Sequence, residues 1–286
     1  MRHERSPGDG SFPSTRDSQH ATCHPATFDA KAEAWDDYAA TPLGRLRQEL
    51  TLRYLAQHLG SSSRRLQVLD AGGGTGGYAL SLVQQGHQVC LMDFSSRMLA
   101  VARWKIERCD PSLMKRMEFC CAPVEETSRL FPPHRFDLIL CHTLLEYVLE
   151  LQEVLRALTA VLRPGGLLSL LLVNPCAEAL RWALTRGDLE KARLALREKV
   201  SSADLFGLPR RTVRAETVRE AMVQAQVEVV AQYGVRIFAD YLPAEKLADP
   251  EFFAHLLELE AAAAALHPYR LIARYIQLLG RKPEAL

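Results

Sequence analysis

Short apolar segments alternate with amphipathic segments along most of the chain. Apolar runs bounded by glycine, proline or polar residues predict five strands, at 66–71, 87–92, 117–121, 136–141 and 167–173. Apolar residues spaced three and four apart predict helices at 46–59, 76–85, 96–108 and 151–163, the last stopped by Pro164 and Gly165. This alternation is typical of a mostly parallel sheet with helices on both faces, which binds ligands beyond the carboxyl ends of its strands.

The alternation changes between 174 and 226, where the pattern predicts helices at 189–200 and 215–224 joined by a polar loop. Two further strands are predicted at 227–238 and 273–279, with a helix at 252–266 between them. The predicted fold is therefore a doubly wound α/β fold with a mostly parallel, seven-stranded sheet. A helical insertion at about 175–226, between the fifth and sixth strands, is expected to rise over the carboxyl ends of the strands as a substrate lid.

Composition bears on the domain organisation and on the kind of partner. The first 26 residues are rich in Ser, Pro, Gly and His and predict a disordered tail before one domain at 27–286. The chain has 35 Lys and Arg against 34 Asp and Glu, so it lacks the overall basic excess typical of nucleic-acid-binding proteins.

Cysteine usage and hydropathy bear on the compartment. Seven cysteines without a CxxC pair favour free thiols in a reducing compartment over disulfides or a zinc site. The longest apolar run, 167–173, is far shorter than the roughly 20 residues of a membrane span, and the N-terminus lacks a signal-peptide pattern. We therefore expect a cytoplasmic protein without a membrane segment and without a bound metal.

A glycine-rich turn, with the sequence VLDAGGGTGG at 68–77, follows the first predicted strand. Gly72, Gly73, Gly74 and Gly76 allow the backbone to turn sharply and to approach a ligand closely. Asp70 precedes them, and a carboxylate there suits the α-ammonium group of S-adenosylmethionine (SAM), whereas it would repel the pyrophosphate of NAD. The alternative, an ordinary strand-to-helix turn, does not need so many glycines.

Further candidates follow the next three strands. Asp93 ends the second strand about 20 residues after the glycines, where an acidic residue can bind both ribose hydroxyls; alternatively it caps the next helix. Phe94, beside it, is a further cofactor candidate. Ala122 and Pro123 follow the third strand and are expected to line the adenine. His142 follows the fourth and is expected to face the methionine sulfonium; alternatively it caps the next helix.

The chain resembles the tRNA 5-carboxymethoxyuridine methyltransferase family, which esterifies the carboxylate of a modified wobble uridine. The glycine, acidic and RPGG motifs are shared by class I SAM-dependent methyltransferases generally, whereas GRLRQ, HTLLEYV and GVRIFADY are more specific to this family. The matching segments cover nearly all of 28–283: FDAKAEAW at 28–35, GRLRQ at 44–48, VLDAGGGTG at 68–76, GHQVCLMDFSSRML at 86–99, HTLLEYV at 142–148, VLRPGGLLSLLLVN at 161–174, GVRIFADY at 234–241 and RYIQLLGRKP at 274–283.

The resemblance implies a set of SAM contacts: Arg47, Gly72, Gly73, Asp93, Ala122, Pro123 and His142. A guanidinium at Arg47 can bind the methionine carboxylate through two parallel hydrogen bonds. Arg236 and Tyr241, within GVRIFADY, are candidates for anchoring an acidic acceptor, although Arg236 could equally form a salt bridge at the sheet edge. The insertion departs from the family's dense lysine run, since it carries only Arg210, Arg211 and Arg214 among neutral residues.

The sequence thus predicts a SAM-dependent methyltransferase, with O-methylation of a carboxylate as the favoured reaction. Three hypotheses about the function of the chain remain open. The first acceptor is 5-carboxymethoxyuridine in tRNA, and the second is a free small-molecule acid or phenol. In the third hypothesis the fold is a non-catalytic SAM-binding or RNA-binding scaffold. A carboxylate is already ionised at neutral pH and needs no general base. A phenol or amine would need one, and His142 is then the nearest candidate.

Overall fold

The computed structural model describes residues 25–60, 64–197 and 210–284. The described residues form one seven-stranded sheet, with the strands β1 Gln67–Ala71, β2 Gln88–Asp93, β3 Met117–Cys121, β4 Phe136–His142, β5 Leu162–Val173, β6 Glu228–Val235 and β7 Tyr275–Arg281. The α-helices are α1 Pro25–Asp29, α2 Ala32–Ala40, α3 Pro42–Ala56, α4 Gly77–Gln84, α5 Ser96–Cys109, α6 Thr127–Leu130, α7 Leu151–Val161, α8 Ala177–Arg186, α9 Leu189–Arg197, α10 Ala215–Gln224, α11 Ala244–Leu247, α12 Pro250–Ala263 and α13 Tyr269–Ile272.

The strand order is β3-β2-β1-β4-β5-β7-β6, and β7 runs antiparallel to both of its neighbours. The pairs among β1 to β5 are parallel, which confirms the predicted doubly wound, mostly parallel seven-stranded sheet. The chain goes from β1 to β2 on one side and returns to β4 on the other. The carboxyl ends of β1 and β4 therefore border a crevice at the point where the strand order reverses, the usual ligand position in this fold class.

Helices cover both faces of the sheet because successive strand residues point to opposite sides. Leu69 and Ile139 are buried in the cluster that contains α7 and α10. Val68 and Leu138, their neighbours along the strands, are buried in the cluster that contains α4 and α5. The strands are thus apolar on both faces, as expected for a central parallel sheet.

The boundary between α7 and β5 differs from its prediction. We expected the helix to continue to 163 and the strand to begin at 167, but α7 ends at Val161 and β5 already pairs at Leu162 with Phe136. The pairing register then shifts, so that the RPGG segment bulges out of the ladder. Pro164 lacks an N–H group, and Gly165 has a φ of 72°, so both suit a bulge within a strand.

The sixth strand is shorter than the predicted 227–238, because β6 ends at Val235. The next residue, Arg236, has a φ of 62° and turns the chain away from the sheet. The backbone N–H groups of Ile237, Phe238 and Ala239 then donate to the carboxylate of Glu260, at 2.6, 2.9 and 2.9 Å. A buried side chain from α12 thus takes the place of a neighbouring strand.

Other boundaries shift by a few residues. Helix α3 begins four residues before the predicted 46, because Thr41 accepts a hydrogen bond from Gly44 N–H and Pro42 suits the first helical turn. Helix α12 begins at Pro250, and β7 is displaced from 273–279 to Tyr275–Arg281. The short helices α1 and α2 were not predicted.

Parts of two predictions cannot be compared with the structure. Residues 1–24 of the predicted disordered tail and 198–209 of the predicted lid lie outside the described residues, while Pro25 already begins α1. In the described part of the insertion, α10 packs against α7 and β6. No helix in the described ranges is long and apolar enough to cross a bilayer.

Replacing Glu260 with alanine is expected to destabilise the protein by about 3 kcal/mol or more, because three backbone N–H groups would lose their acceptor in a buried turn. Urea unfolding of the purified variant measures this loss. The matched control is Glu258→Ala on the same helix, which removes an exposed pair with Arg53 and should leave the unfolding midpoint unchanged. Equal midpoints for both variants would contradict the assigned role of Glu260.

Candidate functional site

A cavity lies beyond the carboxyl ends of β1, β2 and β4. Its floor includes Asp70, Asp93 and His142, at or near the ends of these strands. Residues from α2, α3 and β7 close one side: Trp35, Ala39, Arg47, Gln48 and Tyr275. A second cavity adjoins it and shares Gly72, Asp93, Phe94, Leu144 and Tyr147 with it. The two together form one elongated site.

The glycine turn brings the backbone against Asp70. A Cβ built at Gly73 would lie 2.6 Å from Oδ2 of Asp70 and 2.3 Å from Cδ1 of Leu91, so no larger residue fits. Asp70 is 1% exposed, and its Oδ2 has no hydrogen-bond partner among the described residues. Burial, with a smaller contribution from the Asp93 carboxylate, raises the pKa of Asp70 to about 7. A buried acid of this kind is suited to a cationic ligand group.

Asp93 connects the end of β2 to the glycine turn. Its Oδ2 accepts from the N–H of Gly74 and its Oδ1 from the N–H of Ser95, both at 2.9 Å. Burial raises the pKa of Asp93 to about 6, against the lowering effect of these backbone donors. The cap of α5 is Ser95, whose hydroxyl accepts from Met98 N–H. The alternative interpretation of Asp93 as the helix cap is therefore wrong, and its carboxylate remains at the cavity wall.

Arg47 supplies positive charge to the same cavity from α3. Its guanidinium lies over the rings of Trp35, Tyr38 and Tyr275, at 5.1 to 5.6 Å from their centroids. Arg47 is 6% exposed, and its Nε finds no hydrogen-bond partner within the described ranges. The three rings fix the plane of the guanidinium without neutralising its charge, so the group is oriented toward an anionic partner.

His142 is the last residue of β4 and is buried at the centre of the cavity wall. Its Nε2 lies 2.9 Å from Oγ of Ser169, its ring packs edge-to-face on Tyr78, and its Nδ1 has no partner in the described part of the chain. Burial, with a smaller effect of Arg47, lowers the pKa of His142 to about 3. The imidazole is thus neutral at physiological pH and weakly basic, which disfavours it as a general base. Helix α7 begins only at Leu151, so His142 does not cap it.

The second cavity is lined mostly by apolar residues. Ala122 and Pro123, the residues expected to line the adenine, line this cavity after β3 together with Val124, Glu125, Val148 and Leu149. At the boundary between the two cavities, Phe28 packs on Phe94 and Tyr147 with ring centroids 5.0 and 5.4 Å apart. The apolar walls suit stacking and dispersion contacts with a purine.

Arg236 and Tyr241, expected near an acidic acceptor, do not line either cavity in the described structure. The guanidinium of Arg236 donates to both carboxylate oxygens of Asp240 and, at 2.7 Å, to the hydroxyl of Tyr38. The structure therefore shows the salt bridge that was the alternative interpretation of Arg236. Its cause is the turn after β6, which brings Asp240 back onto the side chain four residues earlier.

Gly76 does not line the cavity itself, although the other three predicted glycines do. It has a φ of 70° at the start of α4, and a Cβ there would lie 3.0 Å from Cβ of Ala102. Gly76 therefore allows the start of α4 to pack closely against α5, and it affects the site only through the shape of the turn.

Sequence reasoning missed several residues of the cavity wall. Trp35, Glu146 and Tyr275 lie within the segments FDAKAEAW, HTLLEYV and RYIQLLGRKP, which were noted only as family-like stretches. The available signal was their place in segments that resemble one family, of which HTLLEYV was the more specific to it. The position of Tyr275 between Arg47 and Arg236 depends on how β7 and α3 pack, which no local pattern shows.

Four buried polar atoms that lack a partner within the described residues line this one cavity: Arg47 Nε, Asp70 Oδ2, His142 Nδ1 and Glu146 Oε2. Buried polar groups are normally hydrogen-bonded, so their concentration in one place indicates a ligand that supplies the missing partners. Separate anionic and cationic positions and an adjoining apolar pocket suit a zwitterionic amino acid joined to a nucleoside. The residues present therefore fit SAM.

Comparison with known proteins gives the same result. A family model described as a methyltransferase domain matches residues 68–166. The tRNA 5-carboxymethoxyuridine methyltransferase of Escherichia coli K12 is 34% identical over 261 residues, which cover 90% of this chain and 97% of the relative.

Solved structures of SAM-dependent methyltransferases share the fold. A possible histamine N-methyltransferase from Thermotoga maritima superposes with a TM-score of 0.59 at 15% identity, over 91% of this chain and 100% of the other. The 1,6-didemethyltoxoflavin-N1-methyltransferase of Burkholderia thailandensis, solved with S-adenosylhomocysteine (SAH), gives 0.53 at 19% identity, over 91% and 87%.

Proposed function

The chain belongs to the SAM-dependent methyltransferases, in the family of the tRNA 5-carboxymethoxyuridine methyltransferases, and on this premise we propose that it methylates the carboxylate of 5-carboxymethoxyuridine in tRNA. The observation that carries the proposal is the cluster of buried polar groups without partners in the described cavity, which matches the charges of SAM. The relative with this activity aligns with nearly the whole chain.

In the proposed complex, each end of the cavity binds one part of SAM. Asp70 accepts hydrogen bonds from the α-ammonium group, and Arg47 donates to the methionine carboxylate. Asp93 accepts from the ribose hydroxyls, and Ala122 and Pro123 line the adenine. When bound, SAM supplies an electrophilic methyl group on a sulfonium.

The protein itself increases the rate by aligning the acceptor with the methyl group and by excluding water. An acceptor carboxylate is ionised at neutral pH, so it attacks without losing a proton. Holding its oxygen in line with the methyl group supplies much of the acceleration. The low pKa of His142 fits this scheme, since it places a neutral imidazole beside the cavity and no general base is required.

The proposal is tested with purified protein, SAM and an anticodon stem-loop RNA that carries 5-carboxymethoxyuridine. We expect nucleoside mass spectrometry to detect the methyl ester on that uridine, and tRNA from a deletion strain to lack it. No product with this RNA would overturn the proposal. Equal activity on the free nucleoside and on the stem-loop would instead favour the small-molecule acid as acceptor.

A further inference from the structure

Two polar side chains lie behind His142 on otherwise apolar stretches of strand. Ser169 interrupts the apolar run of β5 at 167–173, and Gln277 lies among apolar residues of β7. Both residues are 0% exposed. A buried polar group is unfavourable unless it is hydrogen-bonded, so the two side chains at the middle of the sheet indicate a specific role.

The sheet register brings both side chains and His142 to one hydroxyl group. His142 on β4 and Gln277 on β7 each pair with Leu171 of β5, and Ser169 lies two residues before Leu171 on the same face. Ser169 is therefore the diagonal neighbour of both. Nε2 of His142 lies 2.9 Å from Oγ of Ser169, and Nε2 of Gln277 lies 3.0 Å from the same oxygen.

A backbone carbonyl fixes the orientation of the Gln277 amide. Nε2 of Gln277 also donates to the carbonyl oxygen of Thr51 at 3.2 Å, and a carbonyl oxygen can only accept. A reversed amide would place two acceptors against each other there. The NH₂ group of Gln277 therefore faces Thr51 and Ser169, and Oγ of Ser169 accepts one of its protons.

This arrangement determines the direction of the hydrogen bond to His142. Among the described residues, the hydroxyl proton of Ser169 has no acceptor other than His142 Nε2. A proton on Nε2 would leave the buried hydroxyl proton without a partner, which is unfavourable. Ser169 therefore donates to Nε2. Burial keeps the pKa of His142 low, so the neutral ring carries its one proton on Nδ1.

Nδ1 is the ring atom of His142 that has no partner within the described ranges, and His142 lines the main cavity. As Nδ1–H it is a neutral donor, which gains nothing from a positively charged sulfonium. Arg47 supplies a second N–H donor without a partner, Nε, to the wall of the same cavity, and its charge acts on His142. Two donors near each other suit an anion, and the anionic group of SAM is the methionine carboxylate.

We propose that Gln277 and Ser169 are positioning residues that hold His142 in its Nδ1–H form, in which it donates to the methionine carboxylate of SAM beside Arg47. This inference rests on the proposed function only in placing SAM in this cavity, and it does not depend on the methyl acceptor. The chain from Thr51 through Gln277 and Ser169 thus extends from the backbone of α3 to the ligand.

The tautomer of His142 is measured directly by NMR on protein labelled with ¹⁵N-histidine, at neutral pH and without ligand. A protonated ring nitrogen and an unprotonated one have well-separated chemical shifts. His142→Gln identifies the signals of His142 among the nine histidines of the chain. We expect the wild type to carry the proton on Nδ1. A proton on Nε2 instead would overturn the proposal.

Gln277→Glu should reverse the chain of hydrogen bonds. An ionised carboxylate only accepts, and a protonated one that donates to Thr51 still accepts from the Ser169 hydroxyl. Ser169 Oγ then accepts from Nε2–H of His142. We expect the His142 proton to move to Nε2 and the SAH affinity to fall by about tenfold or more, because Nδ1 would present a lone pair to the methionine carboxylate.

Ser169→Ala removes the link without reversing it. We expect both tautomers of His142 to be populated in this variant, and the SAH affinity to fall by about twofold to fivefold, in proportion to the lost Nδ1–H population. Unchanged protonation of His142 in Gln277→Glu and in Ser169→Ala would remove both residues from the assigned role.

The matched control is Gln232→Glu on the neighbouring strand β6, where the amide oxygen accepts from Arg219. This variant should keep the Nδ1–H tautomer and the wild-type affinity for SAH. The second control is a ligand, the decarboxylated analogue of SAH, which keeps the amine, the thioether and the nucleoside. Its affinity for Gln277→Glu should stay within about twofold of that for the wild type.

Equal losses of affinity for SAH and for its decarboxylated analogue would contradict the contact between Nδ1–H and the carboxylate. Failure of the proposed function would have a different signature, namely that the wild type does not methylate the stem-loop RNA carrying 5-carboxymethoxyuridine. The tautomer of His142 and the comparison of the two ligands are independent of that result.

Discussion

Arg47→Met is expected to weaken SAH binding by about tenfold to a hundredfold, because the methionine carboxylate of the ligand would lose a charge-assisted pair in a buried site. The free protein should keep its stability within about 1 kcal/mol. The guanidinium is buried without a carboxylate partner among the described residues, and an unbranched apolar side chain fits between the three rings that surround it. Arg47→Met should therefore bind SAH more weakly while keeping the stability of the wild type.

Calorimetric titration with SAH and urea unfolding without ligand measure the two effects. Arg45→Met is the matched control: Arg45 lies on the same helix, its side chain is 60% exposed, and it pairs with Glu49. The control should bind SAH as the wild type does. An unchanged affinity of Arg47→Met, or a loss explained fully by unfolding, would contradict the assignment of Arg47.

Asp70→Asn is expected to reduce SAH affinity by about thirtyfold or more, because it leaves the ligand's ammonium group buried without a counter-charge. The substitution preserves shape, and Gly73 still packs against the side chain. The matched control is Asp137→Asn, a largely buried carboxylate at the amino end of β4, outside the cavity lining, that pairs with Arg163. This control should lose stability and keep SAH affinity. The reverse pattern would contradict the role of Asp70.

The shifted pKa of Asp70 also determines how pH should change the stability of the free protein and its affinity for SAH. The pKa of Asp70 rises from 3.8 to about 7 on folding, so the folded state holds more protons than the unfolded state between these values. The contribution of Asp70 to stability is therefore present below about pH 4 and is lost as pH rises through 7. Asp70→Asn should flatten this part of the profile.

The affinity for SAH should increase with pH, whereas the contribution of Asp70 to stability decreases. An ammonium group pairs with the ionised carboxylate, so wild-type SAH affinity should increase as pH rises from 5.5 to 8. Calorimetry across this range measures it. Asp70→Asn should lose this increase in affinity, apart from the part that Asp93, with a pKa of about 6, contributes. An affinity that falls with rising pH would contradict the proposed contact.

The predicted acceptor contacts show where sequence reasoning reaches its limit. Arg236 belongs to a family-specific segment, yet its side chain is used within the fold because Glu260, on a helix about 20 residues later, holds the turn that presents Asp240. Arg210, mentioned only as part of a sparse basic stretch, lies at the cavity. Neither outcome could be derived from spacing, because both depend on contacts between distant segments.

The sequence by itself determined the strand and helix alternation, the glycine turn with Asp70 before it, and the acidic residue that ends the next strand. These features depend on interactions within one strand–turn–helix unit, where apolar periodicity and glycine geometry act over a few residues. Only the tertiary structure decided which charges line the cavity. Whether Arg47 or Arg236 faces the cavity depends on which acid or ring a distant segment packs against it, since a buried charge takes the partner that folding brings within reach.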